Sequence, residues 1–265
     1  MKKVLYSLLV VAMAAASCKK NASPANESPS NTSTESVNGK ARAAATVQFS
    51  GYTWNIRNTG SSTEGPGPNI FSGSNAWVDG NGWLHLKITK NTTTNKWNCA
   101  EIYSTQNFGY GTYQWQVEGA IGSLDKNIVL GLFNYSGNDG YDEMDIEIAR
   151  WGNNSWPNLN YTVYPATGTS GKSAWSYTKN FTLTGGTYTT HRFTRNSSSV
   201  VCKSMNGFYN DDTNLFASAS CSSPTWSIST LGMPVHMNLW LFDGLAPSDA
   251  NEVEIIIHNF TYTAG

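Results

Sequence analysis

The chain has 265 residues, of which 13% are charged and 12% aromatic, and its formal net charge is -1. The seventeen Lys and Arg are scattered along it, so it lacks the basic stripe of a nucleic-acid binder, and nucleic acid is not expected as a partner. The ten tryptophans argue equally against a disordered chain.

The first stretch, MKKVLYSLLVVAMAAASC, puts two lysines before an apolar run that gives way to small residues. It is too short for a mature membrane span and reads as an export signal. Ala15-Ala16-Ser17-Cys18 resembles a bacterial lipoprotein processing site, which makes Cys18 the expected lipid-bearing residue. The protein is then expected at the cell envelope, on the periplasmic or the surface face, touching membrane only through that lipid. Residues 19–46 are rich in Ser, Asn, Ala and Thr and contain no aromatic residue. Such a segment cannot bury enough apolar surface to fold and is expected to be a tether.

From residue 47 to 265 the composition changes, and all ten tryptophans lie there. Strand follows strand: 83–90, 110–119, 127–135, 159–165, 190–195, 200–205, 234–242 and 252–262 all carry β-type apolar patterns. Turn signals such as Asp79-Gly80-Asn81-Gly82 and Asn206-Gly207 separate them. The fold class is therefore all-β, a sandwich or jelly roll of two antiparallel sheets forming one domain. Cys202 and Cys221 flank a hairpin in an exported chain, so they are expected to pair, leaving Cys99 over. His85, His191, His236 and His258 each stand alone, without zinc-ligand spacing, and read as ordinary strand residues. The run ATGTSGKS (166–173) nearly spells a phosphate-binding loop, but a strand-like SAWSYTKNF overlaps its end where a helix is required, so it reads as a polar loop.

The most informative stretch is GYDEMDIEIARWG, residues 140–152, which holds four of the chain's eighteen acids. Read as a strand, it sends Glu143, Asp145 and Glu147 to one face and Met144, Ile146 and Ile148 to the other. Neighbouring like charges cost free energy, so three readings stand: catalysis, a Ca²⁺ site, or a solvated strand face. Retaining glycoside hydrolysis needs two carboxyl groups about 5 Å apart. Two Glu at i and i+4, leaning together over a shorter Asp, meet that need.

Asp142-Glu143-Met144-Asp145-Ile146-Glu147 also resembles the signature of glycoside hydrolase family 16. So do Asn98–Ser104 with Gly109–Tyr113, Phe133-Asn134-Tyr135, Asn160-Tyr161 and Met237-Asn238-Leu239-Trp240, in the family's order across most of residues 75–263. The resemblance implies a jelly roll with a cleft across its concave sheet. It implies Glu143 as nucleophile, Glu147 as general acid/base and Asp145 as assisting carboxylate. It further implies that Glu101, Phe133, Tyr135, Tyr141, Asn160, Asn238 and Trp240 touch sugar, with Trp240 as a stacking platform. The uninterrupted Glu-x-Asp-x-Glu strand resembles that of lichenases and xyloglucan-active members, which favours a β-glucan with mixed 1,3-1,4 linkages.

Several positions depart from the lichenase pattern: Tyr141 stands in place of a Trp and Tyr103 in place of an Arg. His258 stands where many members have a calcium-binding Asp, so no cofactor is expected to be required and structural Ca²⁺ is doubtful. Segment 51–82, with Gly65-Pro66-Gly67-Pro68-Asn69, has no lichenase counterpart and is expected to form a loop bordering the cleft. The expected protein is a monomeric, endo-acting, retaining β-glucanase. The alternatives are a transglycosylase, a hydrolase of laminarin, xyloglucan or galactan, and a lectin-like jelly roll without turnover.

Overall fold

The computed structural model describes residues 45–265; the export signal, Cys18 and nearly all of the tether lie outside the described residues. Strand β1 (Thr46–Phe49) already includes Thr46, the last residue assigned to the tether. It is followed by β2 (Tyr52–Ile56), β3 (Ile70–Phe71), β4 (Ala76–Val78), β5 (Leu84–Asn91), β6 (Lys96–Ser104), β7 (Gly111–Glu118) and β8 (Ile128–Tyr135). Then come β9 (Glu143–Ile148), β10 (Leu159–Val163), β11 (Trp175–Lys179), β12 (Tyr188–Arg195), β13 (Ser199–Asn206), β14 (Leu215–Ser222), β15 (Val235–Leu241) and β16 (Val253–Ala264). The eight strands expected from their apolar patterns all form, each within two residues of its expected ends. In β5 the alternation is literal: Leu84, Leu86 and Ile88 are buried, while His85, Lys87 and Thr89 are only partly covered.

Hydrogen bonding joins the strands in the order β11-β10-β9-β8-β15-β6-β5-β16-β7-β12-β13-β14, with β2 and β1 continuing from β6. The ends of β5 and β6, Thr89–Asn91 against Lys96–Asn98, make the corner at which the path passes from one sheet to the other. Two curved antiparallel sheets thus face each other as a jelly roll. Every named pairing is antiparallel except β3 with β6. The inner faces meet in an aromatic core, where Trp54 of one sheet stands 5.5 Å from Phe260 of the other, edge-on, a favoured aromatic geometry. A buried polar relay also crosses the core: Tyr161 Oη lies 2.7 Å from Ser204 Oγ, which in turn lies 2.8 Å from His191 Nδ1. Burial pushes the His191 imidazolium down to about 3, so the ring stays neutral and can both donate and accept.

One expectation is corrected. Cys202 and Cys221 do not pair, and Cys99, Cys202 and Cys221 are all free and buried. The register of β13 and β14 sets Cys202 opposite Ala219 and Cys221 opposite Val200. The two thiols are therefore diagonal neighbours, about 7–8 Å apart at Cα, beyond ordinary disulfide reach. A hairpin between two cysteines does not ensure that they face each other.

Candidate active site

Strand β9 lies between β8 and β10 in the concave sheet. Met144, Ile146 and Ile148 enter the core with 1% exposure or less, and the intervening Glu143, Asp145 and Glu147 line a groove of about 1350 Å³. That exceeds the roughly 300–1,000 Å³ of a pocket for a single small molecule and suits a chain of several sugar units. Among the described residues no group of three or more His, Cys, Asp or Glu side chains has metal-holding geometry. The acids run in file along the strand rather than converging on a point.

The fourth acid has a different task. Asp142 is buried, sits at φ 49°, and donates its N–H to Pro165 O at 2.9 Å. Its carboxylate accepts from the Thr167 N–H at 3.0 Å and from the Thr167 hydroxyl. The loop resembling a phosphate binder is therefore a clamp on the start of β9. Its Lys172 Nζ donates to the Pro224 and Thr225 carbonyls, and β11 follows it.

Burial pushes the Glu143 carboxyl up to about 7, against a hydrogen bond from Asp145 that favours its ionised form. Burial also drives Asp145 well above the usual carboxylate range, helped by the Glu143 and Glu147 charges on either side. Glu147 rises to about 8, again by burial first and by the Glu143 charge second. The interaction between the two lowers the Glu143 carboxyl and raises Asp145, so a proton on this pair is held more firmly by Asp145 than by Glu143. Glu147 keeps its own proton near neutral pH. The three acids on this strand face thus hold their protons unequally, Glu147 more firmly than Glu143, with Asp145 between them.

The floor extends from β9 across β8 and β15 to β6 in two rows set by register. One row is Asp145, Phe133, His236 and Tyr103; the other is Glu147, Gly131, Asn238 and Glu101. The first is a stack: the His236 ring lies 4.9 Å from Phe133 at 23° and 5.4 Å from Tyr103 at 17°. In the second, Glu101 accepts from Arg57 Nη1 at 2.7 Å through one oxygen and bonds His236 Nδ1 at 2.9 Å through the other. Burial would raise the Glu101 carboxyl, but His236 and Arg57 outweigh it and hold it below its ordinary range. Arg57 also grips Glu64 at 2.8 Å, and Glu64, Gly65 and Pro66 line the groove. Segment 51–82 thus borders the groove, although it also supplies β2, β3 and β4.

Of the residues expected to touch sugar, Glu101, Phe133, Tyr135, Asn238 and Trp240 line the groove. Trp240 is only 7% exposed and packs 6.2 Å from Trp151, so little of its face is open for stacking. Tyr141 is exposed in a turn closed by its N–H to Asn138 O and is not among the lining residues. Asn160 is buried, and its amide donates to Ala149 O at 3.0 Å, joining β10 to β9 outside the groove lining. Sequence reasoning passed over Arg57, Glu64, Tyr164 and His236 as groove residues. His236 was within reach, because period-two alternation puts it on the same face as Asn238 and Trp240. Arg57 and Glu64 come from a segment without motif or alternation.

No protein-family profile matches the chain, and no curated protein matches it either. Solved structures do. A Bacillus licheniformis β-glucanase superposes with a TM-score of 0.60 at 20% identity, covering 85% of this chain and all of that one. A glycoside hydrolase family 16 endo-glucanase from Bacteroides ovatus gives 0.57 at 15% identity, over 79% of this chain and 94% of that one. An immunostimulatory antigen and pseudo β-1,3-glucanase of Mycobacterium tuberculosis gives 0.56 at 19%, over 80% and 91%. The chain has the β-jelly-roll fold of these glucanase structures.

Proposed function

We propose that this protein is a family 16 glycoside hydrolase that cuts within a β-glucan chain with retention of anomeric configuration. The observation that carries this reading is the file of Glu143, Asp145 and Glu147 on one strand face, with protons unequally shared among them in a groove long enough for a polysaccharide. The Glu143 carboxylate attacks the anomeric carbon while Glu147 gives its proton to the departing glycosidic oxygen. A glycosyl ester forms on Glu143 and the leaving sugar regains a hydroxyl. Glu147, now ionised, takes a proton from water, the resulting oxygen nucleophile displaces Glu143, and both carboxyls return to their starting states. Asp145 gives up its hydrogen bond to Glu143 as that charge is neutralised in the ester.

Mixed 1,3-1,4 β-glucan is the favoured substrate, on the uninterrupted spacing of the three acids and the likeness to β-glucanase structures. The likeness to a pseudo β-1,3-glucanase supplies a second reading, glycan binding without turnover. The intact acids favour catalysis over it. Export and lipid attachment at Cys18 would place the enzyme at the cell envelope, where polysaccharides are met.

The test is product release from mixed-linkage β-glucan, with laminarin, xyloglucan and agarose alongside, comparing wild type with Glu143→Ala. Cleavage of mixed-linkage glucan that disappears in the variant is expected. Glucan binding without products from the wild type would favour the second reading, and agarose cleavage would overturn the glucan assignment.

A further inference from the structure

Glu101 is one of the polar groove residues that the family resemblance assigns to sugar, yet its surroundings leave it little to offer. Its side chain is about 5% exposed, and each carboxylate oxygen already has a partner, Arg57 at 2.7 Å and His236 at 2.9 Å. A sugar hydroxyl would have to displace one of these charge-assisted bonds from a buried carboxylate, which is costly. His236 is placed differently. Its Nδ1 faces Glu101, and among the described residues its Nε2 has no hydrogen-bond partner. The ring plane is fixed by Tyr103 on one side and Phe133 on the other, and the side chain lines the groove. With Nδ1–H donated to the carboxylate, Nε2 is left for a ligand, and a hydroxyl can serve it as donor or acceptor. Two strand spacings, roughly 10 Å, separate β15 from β9. A sugar unit at His236 would therefore lie away from the bond being cut.

We propose that His236 is a specificity-determining residue that bonds a glucan hydroxyl through Nε2, and that Glu101 is a positioning residue acting through it. This rests on the reading of the groove as a β-glucan-cleaving site. The juxtaposition is made by register alone, since β15 sets His236 beside Tyr103 on β6 and Phe133 on β8.

The experiment is a double-mutant cycle on the full chain, with steady-state kinetics on mixed-linkage β-glucan and a thermal melt of each protein. His236→Phe keeps an aromatic ring in the stack and removes Nε2. One neutral hydrogen bond is worth about 0.5–1.5 kcal/mol, so KM is expected to rise about three- to tenfold while kcat stays within about twofold. Glu101→Gln alone is expected to raise KM by a similar factor and to add nothing in the His236→Phe background. His236→Gln, which keeps a hydrogen-bonding end, is expected to recover most of the loss, and His236→Leu, which also removes Nε2, serves in place of the Phe variant if that one does not fold. An unchanged KM in a folded His236→Phe protein, or additive effects of the two substitutions, would overturn the assignment and leave the catalytic reading standing. A wild type that does not cleave the glucan would overturn the catalytic reading and this inference together.

Discussion

A β-carbon placed on Gly131 would stand 2.4 Å from Asn238 Oδ1. Gly131 lies opposite Glu147 on one side and Asn238 on the other, so its bare backbone leaves the gap that the Asn238 side chain occupies. Asn238 is 2% exposed, and among the described residues its Oδ1 has no hydrogen-bond partner.

Gly131→Ala should therefore displace Asn238 and disturb the floor beside Glu147. Overpacking a filled site costs about 1–3 kcal/mol, and a misplacement of about 1 Å near reacting groups can cost roughly 10²-fold in rate. Expected are a melting point lowered by a few degrees and kcat/KM lowered tenfold or more. Wild-type kinetics in a folded variant would show that Asn238 does not need this gap.

The three acids also predict how stability responds to pH. Glu143 and Glu147 titrate near 7 and 8 in the fold, well above an unfolded Glu at about 4.3, and Asp145 is raised as well. A carboxyl raised by folding binds its proton more tightly in the native state. Its contribution to stability is complete below about pH 4 and fades as pH rises through the folded value. The melting temperature should fall between pH 5 and pH 8 on this account. Asp145→Asn, which removes one buried charge, should flatten that fall and melt above wild type at pH 8, while losing activity. Each kcal/mol gained corresponds to about 2–4 °C in a domain of this size. Parallel pH–melting curves for the two proteins would sink the idea that the acids set the slope.

The same groups shape the pH–rate profile. Glu147 must be protonated to serve as acid, and it holds its proton up to about pH 8. kcat/KM on glucan should therefore decline on the alkaline side with a midpoint near there. A profile flat to pH 10 would remove Glu147 from the acid role.

How far the sequence disclosed this molecule depended on the kind of signal each residue gives. Period-two alternation identified β5 and β7, and largely apolar runs identified β8 and β15, because both patterns are local. Alternation also set Glu143, Asp145 and Glu147 on one face of β9. Register is not local, and that is where expectations parted from structure. Cys202 and Cys221 were expected to pair across a hairpin, yet the β13–β14 pairing sets them diagonal. Asn160 does lie opposite Glu147, but its amide turns along the strand to Ala149 O. The Arg57–Glu101–His236 chain joins the residue just after β2 to β6 and β15 across 44 and 135 residues of sequence, a link that no motif marks.

The cysteines give a simple check. Cys99, Cys202 and Cys221 should react with a thiol reagent only after denaturation, since all are buried, and burial pushes the Cys99 and Cys221 thiols up to about 12, so little reactive thiolate forms. Peptide mapping without reduction should find no bridge among the three, and a reductant should leave the melting temperature unchanged. A Cys202–Cys221 peptide would show that the two strands can shift to bring the sulfurs together.

Arg57 holds two carboxylates of very different exposure, and that difference predicts unequal consequences. Glu64 is half exposed, with 51% of its side chain open to solvent, whereas Glu101 has 5%. Solvent screens the first pair, which should contribute no more than about 0–1 kcal/mol. Glu64→Ala should leave the denaturation midpoint nearly unchanged, and any effect should show in kinetics, because this acid ties the Gly65-Pro66 segment to the groove edge. Arg57→Ala strips a partner from a buried carboxylate. Unpairing a buried charge costs about 3–5 kcal/mol, lessened here because His236 still bonds Glu101 and Arg57 is itself partly exposed. Denaturant melts should show Arg57→Ala losing clearly more than Glu64→Ala, and Arg57→Ala with Glu101→Gln recovering part of the loss. Equal losses would mean that Arg57 stabilises the fold chiefly by covering Phe71, over whose ring its guanidinium sits at 4.2 Å.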